Sequence, residues 1–323
     1  MTKTDSLHRA LGVFPADDLD EAMAFDQWLN ENLSVVTTFV PVDVSSALRE
    51  QFFDEYLTPL WKNGLVPVVT LEPWAMEEIA SSKLLSGSDN LDENFRDWAT
   101  QFAKWLRSSS QRRLILRPAH EMNGSWYPWS VGAGVDPSDY RRVWRTIYDI
   151  FGDNDLLKEN IQWLWSINAE TTSDVDIAAI YPGDAYVDLI GVDGYNFGGS
   201  QDWSEWRGPT SIFEPAFKEI REISEAPITV PEFGCSSLRD GNIDPTAKAS
   251  WILHAFDLFN RWDIRLASWF NVDKETDWRV FHIASNADKR YPGHVVINGT
   301  KFAVYPSFRR AAIQYLAYES ITL

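Results

Sequence analysis

Two glutamates, Glu121 and Glu232, stand in dense clusters of polar and aromatic residues. The first cluster runs Arg117-Pro118-Ala119-His120-Glu121-Met122-Asn123-Gly124-Ser125-Trp126-Tyr127-Pro128-Trp129. The second is Pro231-Glu232-Phe233-Gly234, and Asp193-Gly194-Tyr195-Asn196 lies between the two. Glu72-Pro73-Trp74 precedes them, and Trp269 and Asn271 follow. These side-chain types suit the recognition and cleavage of sugars. The apolar face of a pyranose packs on an aromatic ring, while amides and carboxylates match its hydroxyls. Two carboxyl groups flanking a glycosidic bond supply what its hydrolysis requires. One is kept protonated as an acid, and the other stays ionised as a nucleophile.

Other chemistries find little support. No serine-triad motif is present, the five histidines are scattered, and no His-Glu-x-x-His occurs. The single cysteine, Cys235, excludes an intrachain disulfide and a cysteine-rich metal site and is expected to be a small buried filler. No metal or organic cofactor is called for.

Such residues need a frame that brings distant segments together. Eight short apolar runs have strand length: 11–14, 35–40, 65–71, 114–117, 161–167, 187–192, 228–230 and 264–270. Helical patterns lie between them at 19–33, 46–61, 94–106, 138–150, 211–223 and 246–259, with a weak one near 174–180. Asp136-Pro137-Ser138 and Asp244-Pro245 read as helix starts. Strands alternating with helices predict an α/β fold, a (β/α)8 TIM barrel, over a single domain spanning 1–323. A doubly wound open sheet would want a glycine-rich turn after its first strand, and none follows Phe14. In a barrel, function sits at the carboxyl ends of the strands, and every residue named above falls there. The polar stretch Ser81–Asn94 is the longest interruption. Segment 293–305 predicts a hairpin before a closing helix at 307–316.

Composition narrows the partners. Of 323 residues, 45% are hydrophobic and 24% charged, which is globular rather than disordered. Forty-seven acidic against 29 basic residues leave a net charge of −18. That balance argues against nucleic acid or an anionic membrane as partner. No apolar run is long enough to cross a bilayer. Met1–Ala10 lacks the apolar core of a signal peptide, so the chain reads as cytoplasmic by sequence, and its localisation is left open. Oligomeric state is left open.

The stretch Arg117–Trp129 resembles the acid/base motif of glycoside hydrolase family 26. Tyr181–Asp188, continuing to Asn196, is similar to that family's sixth-strand region, and Pro231–Gly234 to its nucleophile strand. The motifs come in the family's order, and His120 before the glutamate is the most specific mark. The resemblance implies a retaining, double-displacement enzyme acting on a β-linked poly- or oligosaccharide. It points first to endo-β-1,4-mannanase activity, with β-1,3/1,4-glucanase or β-1,3-xylanase as alternatives, and members are often secreted. It implies Glu121 as acid/base and Glu232 as nucleophile, held ionised by a hydrogen bond from Tyr195. His120 would contact the sugar or orient the acid/base. Trp126 would stack on a sugar near the scission point, and Trp269 would floor the subsite of the reacting ring. Asn123, Trp129, Glu72 and Trp74 are expected either to line the cleft or to shape its loops, with Asp193 behind the cleft and Arg117 either behind it or bracing the barrel interior.

One departure concerns the substrate. Family mannanases often carry a histidine at the end of the third strand, where this chain reads Glu72-Pro73-Trp74. A barrel that binds carbohydrate without turnover is the rival reading, and transglycosylation shares the same intermediate. The chain also holds 16 tryptophans, nearly as many as its 17 glycines. Six of them, Trp28, Trp61, Trp98, Trp105, Trp144 and Trp251, fall in helical patterns and should pack on the barrel. Trp163 and Trp165 are expected to split, one inward and one toward the helices. Trp203 and Trp206 are candidates for a distal subsite or a lid.

Overall fold

A computed structural model describes residues 9–74, 89–109, 111–171, 175–284 and 288–318. Part of the polar stretch at 81–94 and the start of the weak helix at 174 lie outside these residues. The eight apolar runs form a closed ring in the order β1-β10-β7-β6-β5-β4-β3-β2. Its strands are β1 (Ala10–Phe14), β2 (Val35–Pro41), β3 (Val66–Glu72), β4 (Leu114–Pro118), β5 (Ile161–Asn168), β6 (Leu189–Asn196), β7 (Ile228–Cys235) and β10 (Leu266–Phe270). Paired strands run parallel, with registers such as Val69↔Leu116 and Val13↔Trp269. Helices separate them in sequence, as the alternation of periodicities predicts. The fold is a (β/α)8 barrel.

The chain packs as two compact units. The first takes in Thr37–Gly191 and Glu219–Pro227. It carries α2 (Ser46–Gln51), α3 (Thr58–Lys62), α4 (Asp89–Arg107), α5 (Pro137–Gly152), α6 (Asp155–Asn160) and α7 (Ile177–Ile180). A π-helical turn, Phe52–Leu57, joins α2 to α3. Asp136 caps α5 by accepting from the Ser138 amide at 2.8 Å, and Pro137 follows where its missing N–H costs nothing. Tryptophan fills this unit's core. Trp98 is buried against Phe53 and Phe102 and donates its indole N–H to the Val42 carbonyl at 2.9 Å.

Trp163 and Trp165 do not split. Trp163 packs on Trp144, Tyr148 and Phe151 of α5, and Trp165 on Tyr181. Residues two apart on a strand share a face, so both rings turn the same way, toward the flanking helices and loops.

The second unit holds the described residues up to Val36, Val192–Lys218 and the chain from Ile228 onward. Its helices are α1 (Leu19–Trp28), α8 (Pro209–Ile223) as far as Lys218, α9 (Pro245–Arg261) and α10 (Pro306–Ala317). Asp244 caps α9 through the Ala247 amide at 2.9 Å, with Pro245 at the first turn. The hairpin expected at 293–305 forms from β12 (Gly293–Ile297) and β13 (Thr300–Val304), and β11 (Phe281–Ile283) adds a third strand. A short hairpin, β8 (Leu238–Arg239) with β9 (Asn242–Ile243), follows β7. Neither that hairpin nor α6 carries a periodic apolar signal long enough to read from sequence. No helix among the described residues is long and apolar enough to cross a membrane.

Candidate active site

Glu121 lies three residues beyond the end of β4 and is nearly buried, at 6% exposure. Its amide donates to the Ser166 carbonyl of β5 at 2.8 Å. Its backbone is left-handed, with φ of +52°, and Ala119 two residues earlier has φ of +46°. Non-glycine residues in that region carry strain of order 1–3 kcal/mol, which the surroundings must hold in place. The surroundings do so on both carboxyl oxygens. Trp126 donates its indole N–H to Oε2 at 2.7 Å, and Asn168 donates its amide to Oε1 at 2.7 Å.

An aromatic and polar shell fixes this loop. His120 Nε2 meets the Tyr127 hydroxyl at 3.0 Å, and its ring packs beside Phe39 and Tyr127. Tyr127 stacks on Trp129 at 4.3 Å and 8°. Arg117 is fully buried, donates to Thr70 Oγ1 at 2.9 Å and lies over the Phe39 ring. Glu72 accepts from the exposed Trp74 indole at 3.1 Å, and Trp74 meets Tyr127 and Trp129 edge to face.

Glu232 lies on β7 and is also nearly buried, at 5% exposure. Tyr195, near the end of β6, donates its hydroxyl to Oε2 at 2.6 Å. The Tyr195 ring packs against Trp278 at 5.0 Å and Phe270 at 5.7 Å. Gly234 is small for this reason: a β-carbon there would stand 3.1 Å from both Trp278 and Tyr195. Asp193, two residues before Tyr195, is fully buried.

A charged girdle holds the loop that carries Trp278. Lys248 on α9 is buried, and its ammonium donates to the carbonyls of Asp277, Trp278 and Arg279, the last two at 3.1 and 3.0 Å. Burial pushes its pKa down, and the Asp277 carboxylate opposes that shift. Burial alone would raise the Asp277 carboxyl. The Lys248 charge and donations from Ser237 and Ser236 outweigh it and hold the carboxyl below its ordinary range. Burial pushes the Cys235 thiol up to about 12, so it stays a neutral, inert filler. No group of three His, Cys, Asp or Glu among the described residues could hold a metal ion.

Trp269 is placed otherwise than as a subsite floor, and Trp129 and Asn123 take the second of their two readings, the shaping of loops. Trp269 is fully buried, at 0% exposure. It packs on Phe233, on Trp251 of α9 and on Phe308 of α10, and its N–H goes to the Trp278 carbonyl at 3.0 Å. It faces the helices, because its place on β10 alternates with that of Phe270, which meets Tyr195. Trp129 is likewise fully buried, donates to the His120 carbonyl and supports Tyr127 from beneath. Asn123 is buried and clasps Asn168 through two hydrogen bonds of 2.8 Å. These three shape the loops and present no open face to a sugar.

Trp126 and Trp74 are the exposed members of the expected set, at 44% and 42%. Asn168 and Tyr127 stand in the strand-end segments, but their contacts with Glu121 and His120 are not written in the spacing, and the sequence does not anticipate Phe270 and Trp278 beside Tyr195. Asn168 ends β5, so its position was a signal. Trp278 lies eight residues beyond its strand, and nothing in the sequence ties it to Tyr195.

The family model described as "Glycosyl hydrolase family 26" matches residues 81–278. Endoglucanase H of Acetivibrio thermocellus is 32% identical over 234 residues, covering 70% of this chain and 24% of that protein. A mannan endo-1,4-beta-mannosidase of Bacillus subtilis is 27% identical over 164 residues, covering 43% of this chain and 42% of that one. The chain thus spans about a quarter of the first relative's length and less than half of the second's. The catalytic domain of the Bacillus sp. JAMB-750 GH26 endo-beta-1,4-mannanase superposes with a TM-score of 0.67 at 15% identity, covering 96% and 85% of the two chains, and shares the fold. The matched span runs from the segment before β4 through the loop beyond β10, across both glutamates and their hydrogen-bonding partners, and by it this chain belongs to glycosyl hydrolase family 26.

Proposed function

We propose that the chain is a retaining β-glycoside hydrolase acting within β-linked hexose polymers, β-1,4-mannan first, as one catalytic barrel domain. What supports this reading is two nearly buried glutamates, Glu121 beyond β4 and Glu232 on β7, each held by hydrogen-bond donors. In the first step Glu121 gives its proton to the glycosidic oxygen. A Glu232 oxygen attacks the anomeric carbon, and the bond to the leaving sugar breaks. In the second step water attacks that carbon, Glu121 takes its proton, and the bond to Glu232 breaks. Two inversions leave the configuration retained. The Tyr195 hydroxyl stabilises negative charge on Glu232 as it leaves. Trp126 keeps Glu121 in line and offers its exposed ring to a sugar beside it.

A glucan substrate is the second reading. The relative that covers 70% of this chain is named an endoglucanase, and the third strand ends in Glu72-Pro73-Trp74 rather than in a histidine. The test is a screen of mannan, lichenan and β-1,3-xylan with product sizing, run beside Glu232→Ala. Release of internal fragments from mannan, abolished by the substitution, is the expected result. Release from lichenan alone would move the substrate to β-glucan. Sugar binding without any product would replace the hydrolase by a carbohydrate-binding barrel.

A further inference from the structure

Trp203 is the most exposed large hydrophobic residue among those described, at 68%. Tryptophan seldom stands so free, because its ring is among the largest apolar surfaces a side chain offers. A ring left in water on a floppy loop would mean little, but this loop is stitched in place. Asn196, which ends β6, accepts from the amides of Gly198 at 3.2 Å and Arg207 at 3.0 Å, closing the loop at its base. Ser204 donates to the Gly198 carbonyl at 2.8 Å. Gln201 donates to the Glu275 carbonyl at 3.0 Å, and Trp251 of α9 to the Arg207 carbonyl at 2.9 Å. At its base Gly198 has φ of +57°, and a β-carbon there would lie 1.9 Å from the Leu238 carbonyl oxygen. Only glycine lets this loop lock against the β8–β9 hairpin.

The ring is also connected to the Glu232 side of the site. Trp203 meets Phe197 edge to face at 4.8 Å, Phe197 meets Trp278 at 4.9 Å, and Trp278 meets Tyr195 at 5.0 Å. Tyr195 in turn donates to Glu232. Three aromatic contacts therefore lead from the nucleophile's partner to an exposed indole. Asp202 and Glu205 flank Trp203 in sequence, and both are exposed. An apolar ring rimmed by hydrogen-bond acceptors matches a pyranose, whose axial-hydrogen face is apolar and whose edge bears hydroxyls.

We infer that Trp203 is a preorganised stacking platform for a distal sugar of a β-linked hexose chain, beyond the ring held at Glu232. This rests on the glycosidase reading for its substrate. The platform adds affinity only for chains long enough to reach it. It leaves the chemistry at the scission point untouched.

The test is kcat/KM on oligosaccharides of increasing length and on an aryl glycoside, for the parent, Trp203→Ala and Trp203→Phe. Trp203→Ala should lower kcat/KM by about 3- to 10-fold on long chains, chiefly through KM, consistent with one lost aromatic contact. It should leave the aryl glycoside and the melting temperature unchanged, and Trp203→Phe should restore most of the loss. Equal effects at every length, or none, would overturn the platform. Should the parent turn over no substrate, the glycosidase reading falls. Calorimetric titration of the same oligosaccharides then decides on Trp203, which must still strengthen binding of long chains over short ones.

Discussion

The Tyr195 hydroxyl donates to Glu232 Oε2 over 2.6 Å, from a strand that neighbours the glutamate's own in the ring. A hydrogen bond to a charged acceptor contributes about 1.5–3 kcal/mol. Tyr195→Phe keeps the ring packed on Trp278 and removes only that donor. The expected outcome is a fall in kcat of about 10- to 100-fold, with the melting temperature held. Steady-state kinetics on an aryl glycoside decide it. An unchanged kcat would show that the hydroxyl plays no part in the reaction.

Glu121 is held on both oxygens, by Trp126 on one and Asn168 on the other. Trp126→Phe keeps an aromatic face, and Asn168→Ala keeps the backbone that Asn123 clasps. Each should cost about tenfold or more in kcat/KM. Combined, they should cost less than the product, because both act through one carboxyl group. A strictly multiplicative double variant would mean that the two contacts orient Glu121 independently.

Trp269 separates packing from binding. Placed among Phe233, Trp251 and Phe308, it should behave as a core residue. Trp269→Ala should cost about 3–5 kcal/mol of stability. The milder Trp269→Phe should lower the melting temperature while leaving KM alone. A raised KM in a fully folded Trp269→Phe protein would return this residue to the sugar site.

The Lys248–Asp277 pair gives a pH signature. Asp277 has its carboxyl held below the ordinary range when folded, so the unfolded chain takes up that proton at higher pH. Its stabilisation is then complete above about pH 4 and is lost as pH falls through the folded value. Asp277→Asn should therefore be less stable at neutral pH and show a shallower loss of stability on acidification. Lys248→Met leaves a buried carboxylate without its cation and should cost about 3–5 kcal/mol. Denaturant unfolding from pH 3 to pH 7 measures both. An acid slope in Asp277→Asn as steep as the parent's would remove Asp277 as its source.

Much of this molecule was legible in its residues. The strands of the ring and most helices announce themselves because apolar periodicity reports which face is buried, and Asp136 and Asp244 mark helix starts through local hydrogen bonds. Glu121 and Glu232 stand out as candidates because their surrounding motifs are dense, and the Tyr195–Glu232 hydrogen bond that the resemblance implies is present in the structure. Direction was harder. Trp269 sits at the end of β10, yet alternation turns its ring to the helices and leaves the next residue, Phe270, to meet Tyr195. Trp129 looked like cleft lining, and its role as the support under Tyr127 depends on a stacking contact that spacing does not encode. Trp278 stayed hidden because the loop after β10 brings it to Tyr195, held by Lys248 on α9, thirty positions earlier in the chain.

The double-displacement account is tested most directly by trapping its intermediate. A 2-deoxy-2-fluoro glycoside with a good leaving group slows breakdown of the glycosyl-enzyme more than it prevents formation. Mass spectrometry of the digested protein should then find one added sugar on the peptide containing Glu232, and Glu232→Gln should give none. ¹H NMR of the first-formed product from the natural substrate should show the β-anomer. An α-anomer at first turnover, or a sugar attached to any residue other than Glu232, would contradict the account.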